Sequence, residues 1–208
     1  MYDAAGGDGA AVPWAELAPH PYLVDWLDGP VSAPPGRRAV VVGCGLGDDA
    51  AELARRGFEV TAFDVAPTAV EWAARRFPDL SIDWRVVDLL ALPDDLLGAF
   101  DLVVEVRTVQ SLPGVVRDAA MAAIGRLAAP RGTVVVVTLV ATTAAIAAAW
   151  DGPPWVQAPS ELTAYKAAGL LRIALEHPEP DERGVMEVRL TWQRPDGAAP
   201  TSPLPLIG

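Results

Sequence analysis

The sequence predicts an α/β protein: a mostly parallel, seven-stranded sheet with helices on both faces and an antiparallel hairpin formed by its last two strands. Three observations predict it. From Ala39 onward, short apolar and β-branched runs alternate with stretches of helical periodicity, the rhythm of parallel strands joined by crossover helices. The first of those runs breaks into a glycine-rich turn, Gly43-Cys44-Gly45-Leu46-Gly47. The final two strand patterns follow one another with no helix between them, as in a hairpin.

The elements follow in order. Residues 1–11 are small and Gly/Ala-rich and read as an arm that stays mobile unless a ligand or partner orders it. In 13–27, Trp14, Leu17, Tyr22, Leu23, Trp26 and Leu27 recur at roughly helical spacing around Pro19 and Pro21, which predicts a broken pair of short helices. A Pro/Gly-rich connector covers 29–38. Strands are then expected at 39–42, 59–63, 82–87, 101–105 and 133–140, with helices near 48–56, 67–76 and 115–128. Pro67 suits a first helical turn, and 98–101 supplies a turn into the fourth strand. Beyond 140, 141–149 is a small apolar helix candidate, 151–155 an irregular loop, and 160–168 a helix capped by Ser160 and ended by Gly169. The hairpin occupies 170–177 and 185–194, where Val185, Glu187, Arg189 and Thr191 alternate with Met186, Val188, Leu190 and Trp192. The stretch 195–208 holds four prolines and reads as a tail.

Composition narrows the function. A chain of 208 residues with 51% hydrophobic content suits one α/β domain with a substantial core. No apolar run reaches the roughly 18 residues of a membrane span, and the N-terminus lacks a basic stretch before a hydrophobic block. The expectation is a soluble, cytoplasmic protein without a membrane partner. Its single cysteine, Cys44, excludes an internal disulfide framework, and two histidines, His20 and His177, leave no Cys/His metal cluster, so no metal is expected. A net charge of −11 repels phosphodiester backbones, which favours small-molecule substrates over nucleic acid. A monomer or a homodimer fits equally.

The glycine turn decides the kind of cofactor. The dinucleotide fingerprint G-x-G-x-x-G would place its third glycine at 48, where the chain has Asp48; Gly43, Gly45 and Gly47 instead fit G-x-G-x-G. Gly43 and Gly45 permit close backbone approach, and the helix that follows offers unbonded N–H groups to an anion. Asp64 ends an apolar strand 21 residues after Gly43, the distance at which a carboxylate takes both ribose hydroxyls; the alternative is a strand-end aspartate capping the next helix. Val86-Val87-Asp88-Leu89-Leu90 ends a second strand in an acid followed by apolar residues, 24 residues further on. Phe100-Asp101-Leu102-Val103-Val104-Glu105-Val106 then runs into the polar turn Arg107 to Pro113.

Together these motifs resemble class I methyltransferases, which bind S-adenosyl-L-methionine and release S-adenosyl-L-homocysteine on a Rossmann-like sheet with a C-terminal antiparallel hairpin. The resemblance implies a single domain over 1–208: an arm and lid helices at 1–28, a cofactor-binding core at 39–140, a substrate-side segment at 141–194 and the tail. It implies that Gly43, Cys44, Gly45 and Gly47 cradle the methionyl end, that Asp64 holds the ribose and that Val65 flanks the adenine. Asp88 would accept from the adenine amino group, with Leu89 packing on the ring. Glu105 would touch the cofactor's amino group or the acceptor, Val106 and Gln110 would bind the cofactor, and Val109 to Leu112 would line its far side. Val109 to Leu112 should begin the next helix, and Arg107 would pair an acidic substrate or form a surface salt bridge. Pro13-Trp14 and the Pro19-His20-Pro21 stretch resemble the lid of the thiol, halide and thiopurine methyltransferases, so Trp14 would close over the sulfonium and Trp155 would form another wall of the acceptor pocket. No catalytic base stands out, since His20 between two prolines reads as a solvent-facing turn residue. A thiol acceptor is favoured, with oxygen or nitrogen transfer, mere cofactor binding and nicotinamide chemistry as the alternatives.

Overall fold

The computed structural model describes residues 16–29 and 37–197; the arm at 1–11, Trp14, 30–36 and the tail from 198 lie outside the described residues. Seven strands are present: β1 (Arg38–Val42), β2 (Glu59–Asp64), β3 (Ile82–Val86), β4 (Phe100–Val106), β5 (Ala128–Ala141), β6 (Leu171–Glu176) and β7 (Val185–Gln193). They form one sheet in the order β3-β2-β1-β4-β5-β7-β6. The first five are parallel, and β7 runs antiparallel between β5 and β6.

Alternation along the central strands sorts side chains onto two cores. Val40, Val42, Val103, Val134 and Val136 point to one face, where Met121, Ile124 and Leu127 of α4 (Gly114–Leu127) complete a buried cluster. Ala39, Val41, Leu102, Val104 and Val135 point to the other and meet α1 (Pro21–Asp28) and α2 (Asp48–Arg55). The central strands are buried on both sides, which is why they read as continuous valine runs without polar alternation. Helix α3 (Pro67–Arg76) starts at Pro67 as predicted, and it covers β2 and β3.

Among the described residues the N-terminal segment holds one helix, α1. Eight residues are too few to be helical alone. Leu23, Trp26 and Leu27 hold it by docking into the second core, at about 1.5–3 kcal/mol for each fully buried large apolar side chain.

Three local expectations are corrected. β5 begins at Ala128, not at 133, because Pro130-Arg131-Gly132, which reads as a turn, is carried inside the strand beside a register shift against β4. The helix expected over 160–168 shrinks to α6 (Thr163–Ala167); Ser160 receives Thr163 on its backbone carbonyl and does not cap with its side chain. Val109–Ser111 is a 3₁₀ turn separated from α4 by Leu112 and Pro113, so it does not start that helix. The 141–149 candidate forms as α5 (Ala144–Ala149), capped by the Thr143 side chain.

Candidate functional site

After β1 the chain moves outward to β2 and β3, then returns to β4 on the other side of β1. The order therefore reverses between β1 and β4, and in open α/β sheets the crevice at the carboxyl ends of such strands receives ligands. The glycine turn follows β1 and the turn at 107–111 follows β4, so the two sequence motifs meet at this crevice.

Gly43, Gly45 and Gly47 all have positive φ, at +62°, +51° and +88°. A side chain at Gly43 would collide with Thr108, whose hydroxyl donates to the Val42 carbonyl at 2.9 Å and so fixes the β4 turn against the glycine turn. Three of the turn's amides are committed: Cys44 N–H donates to the Phe63 carbonyl at 2.9 Å, Gly45 N–H to Asp64 Oδ2 at 3.1 Å and Gly47 N–H to the Cys44 carbonyl at 2.9 Å. Cys44 is buried, and burial, reinforced by the Asp64 charge, pushes its thiol far above the ordinary range. It packs in the α2-side core.

Asp48, the residue that breaks the dinucleotide fingerprint, has a structural task. Arg76 at the end of α3 grips both Asp48 oxygens, at 2.6 and 2.8 Å, and donates to the Leu46 carbonyl at 2.6 Å. Asp48 and Asp49 also place negative charge in the first turn of α2, where the helix dipole favours it, so an incoming anion competes with them. Gly47 stands at the N-cap of α2, and a Cβ there would lie 2.6 Å from the Trp84 ring and 2.9 Å from Ala73. Gly47→Ala is expected to lower stability by about 1–3 kcal/mol, read as a lower urea midpoint with an unchanged slope.

The ends of β2 and β3 lie side by side, with Asp64 opposite Val86. Asp64 Oδ1 accepts from Ala66 N–H at 2.9 Å, so the aspartate shapes the entry to α3 while its other oxygen holds the glycine turn. Asp88 Oδ1 accepts from Leu90 N–H at 2.8 Å and caps a 3₁₀ turn. Beside these acids Val65, Val86 and Leu90 are exposed apolar residues, at 66%, 53% and 47%. Leu89, the expected ring-packing residue, is buried in the α4-side core, which leaves Val65 and Leu90 as the exposed apolar neighbours of the two acids.

Glu105 is the main correction. Strand alternation turns it to the α4 face, where it is fully buried and accepts from Thr108 N–H (2.5 Å), Val109 N–H (3.1 Å) and Tyr165 Oη (3.3 Å). It positions the β4 turn; it stands at the strand ends opposite Val42, but its side chain is buried against these donors and not exposed in the crevice. Burial raises its carboxyl to about 7 against the opposing effect of those donors. Arg107, with φ +57°, turns to internal acids: Nε and Nη2 reach Glu187 at 2.7 Å and Nη1 reaches Glu16 at 2.8 Å. Of its two expected roles, the structure shows the ion pair. Val106 is partly buried against the α2-side core. Gln110 is buried, its Oε1 accepting from Thr138 Oγ1 (2.9 Å) and Leu139 N–H (2.8 Å), while its carbonyl receives Trp155 N–H at 2.7 Å. The expected pocket wall Trp155 is thereby tied to the β4 turn.

His20 does not face solvent. It is 6% exposed, Nδ1 caps α1 by accepting from Tyr22 N–H, Nε2 lies 3.4 Å from Glu187, and its backbone N–H donates to Asp49 Oδ1 at 2.8 Å. Burial raises Asp49 to about 6, the His20 N–H opposing it. Among the described residues no group of three or more His, Cys, Asp or Glu is arranged to hold a metal ion, and no helix is long and apolar enough to cross a membrane. Thr108 and Arg76 are not legible from sequence, because their nearness to the glycine turn exists only after folding; Asp49 follows the turn directly, but its bond to His20 N–H does not show in the sequence.

Residues 39–132 match the family described as a methyltransferase domain. The chain is 34% identical over 139 residues to a ubiquinone biosynthesis O-methyltransferase of Xanthomonas campestris pv. campestris, covering 66% of this chain and 57% of that protein. A protein of the same description from Dechloromonas aromatica is 29% identical over 122 residues, covering 58% of this chain and 51% of its own. The chain thus spans little more than half the length of these relatives. In fold it is similar to the N-methyltransferase NodS from Bradyrhizobium japonicum WM9 in complex with S-adenosyl-L-homocysteine, with a TM-score of 0.72, 21% identity and coverage of 94% of this chain and 98% of that one. It is also similar to the [4+2]-cyclase SpnF, with a TM-score of 0.71, 21% identity and coverage of 85% and 81%. The last likeness shows that the fold alone does not fix the reaction.

Proposed function

We propose that this chain, whose residues 39–132 match the family described as a methyltransferase domain, transfers a methyl group from S-adenosyl-L-methionine to a small-molecule acceptor. The observation that carries the reading is the crevice between β1 and β4: a turn in which a side chain at Gly43 has no room, flanked by Asp64, Asp88 and exposed apolar residues. These residues fit the cofactor. The turn gives close backbone approach to its amino-acid end, Asp64 keeps lone pairs for ribose hydroxyls beyond the two backbone bonds it accepts, and Val65 and Leu90 supply the apolar surface an adenine would cover.

When bound, the cofactor supplies a methyl carbon on a sulfonium: the acceptor's lone pair forms the new bond, the carbon–sulfur pair returns to sulfur, and the acceptor's proton goes to solvent. The protein's part is alignment and exclusion of water. A thiol acceptor suits the residues, because thiols ionise close to neutral pH and His20 has both ring nitrogens engaged, leaving no free imidazole beside the turn. Trp14, on which the thiol-type lid reading rests, lies outside the described residues. The relatives described as O-methyltransferases favour the second reading, an oxygen acceptor.

Calorimetry with S-adenosyl-L-homocysteine is expected to show micromolar binding, and NAD(H) none; the reverse result overturns the proposal. Incubation with labelled S-adenosyl-L-methionine and panels of thiols, phenols and amines then identifies the acceptor atom, and binding without transfer to any panel member would reduce the protein to a cofactor-binding role.

A further inference from the structure

The structure assigns an acceptor site to the cleft beside the β4 turn, and we propose that it selects a flat ring carrying an anionic group; the assignment rests on the methyl-transfer reading above. The cleft holds about 380 Å³, the low end for small-ligand pockets, and is lined by Ala144, Ala147 and Ala148 of α5, Trp150 and Trp155, and Arg117 of α4. Its place fits. Within seven residues of chain, Thr108 touches the glycine turn, Gln110 receives Trp155 N–H, and Gly114 reaches the cleft wall.

The lining has two chemistries. Two half-buried indoles and a helix face of alanine methyls leave a slot whose walls favour a ring over a flexible chain. The only cation among the lining residues is Arg117, which is 5% exposed with its guanidinium carbon 5.8 Å from the Trp155 ring centre. Arg117 Nε donates to the Leu112 carbonyl and Nη1 to Glu161, both at 3.0 Å, while Nη2 has no hydrogen-bond partner among the described residues. The Glu161 carboxylate, also in the wall, is held on both oxygens: one accepts Arg117 and the other Ala158 N–H at 2.6 Å. A preoriented, partly desolvated guanidinium with an unused N–H group is a recognition element for a carboxylate or similar anion.

The test uses paired ring compounds with and without a carboxylate, 4-mercaptobenzoate against benzenethiol and 4-hydroxybenzoate against phenol. Binding is followed by tryptophan fluorescence with S-adenosyl-L-homocysteine present, and transfer with labelled S-adenosyl-L-methionine. At least one carboxylated ring should bind tenfold or more tightly than its neutral partner. Arg117→Met should erase that preference while leaving the neutral ring's affinity unchanged. Because Arg117 is buried and its variant can lose stability, Ala148→Phe on the exposed face of α5 serves as a second variant that fills the cleft; it should weaken every ring at least tenfold and leave S-adenosyl-L-homocysteine affinity unchanged. Equal affinity for carboxylated and neutral rings, or unaltered ring binding in Ala148→Phe, overturns the proposal. Failure of the wild type to bind S-adenosyl-L-homocysteine overturns the methyl-transfer reading itself, and with it the acceptor assignment, even where a ring still binds.

Discussion

Asp64→Ala is expected to weaken S-adenosyl-L-homocysteine binding by about 1.5–3 kcal/mol, the scale of charge-assisted hydrogen bonds, or roughly 10- to 150-fold in calorimetric affinity. Part of that loss is direct, through the ribose hydroxyls. Part is indirect, because Asp64 also accepts from Gly45 and Ala66 N–H, and without it the glycine turn loses its tie to β2. Asp64→Asn separates the two. Its remaining carbonyl oxygen can keep one backbone donor, so stability should recover partly while affinity stays depressed. Unchanged affinity in Asp64→Ala together with a lower urea midpoint would mean that the carboxylate only holds the turn, and the ribose assignment would be wrong.

The contrast between Asp64 and Glu105 shows what the chain reveals before folding. The placement of Asp64 was legible because it is local: it ends a strand, at a fixed distance from a glycine turn, in a sheet whose valine runs announce parallel pairing. The glycine turn and the order of strands and helices were legible for the same reason. Arg107 was half legible. Substrate contact and salt bridge are both open to it in the sequence, and the fold brings it to Glu187, 80 residues away. His20 between two prolines suggested exposure, but the helix it caps is docked into the core, and docking carries the histidine in with it. The start of β5 was missed because a bulge lets a Pro-Arg-Gly sequence sit within an extended strand. Each of these depends on a partner remote in sequence.

Glu105 supplies the second large effect. A carboxyl whose folded pKa lies above its unfolded value binds protons more tightly in the folded state, so the stability is fully present below the unfolded value and is lost as pH rises toward the folded one. For Glu105 the cause is burial, the folded value is about 7 and the ordinary one 4.5, so the loss spans that interval and is on the order of 3 kcal/mol. Glu105→Gln removes the titration and keeps the geometry: the amide oxygen can accept from Thr108 and Val109 N–H, and the amide nitrogen can donate to Tyr165 Oη. The variant is expected to match wild type within about 0.5 kcal/mol at pH 4.5 and to exceed it by about 1–3 kcal/mol at pH 8 in urea denaturation. Asp49, raised to about 6 by its own burial, has the same sign and should leave a smaller decline in the variant over pH 4 to 6. Since Glu105 faces α4, its substitution should also leave S-adenosyl-L-homocysteine affinity unchanged. A variant no more stable at pH 8 than wild type would show that Glu105 is not a buried titrating group, and a tenfold loss of affinity would restore it to the cofactor's side of β4.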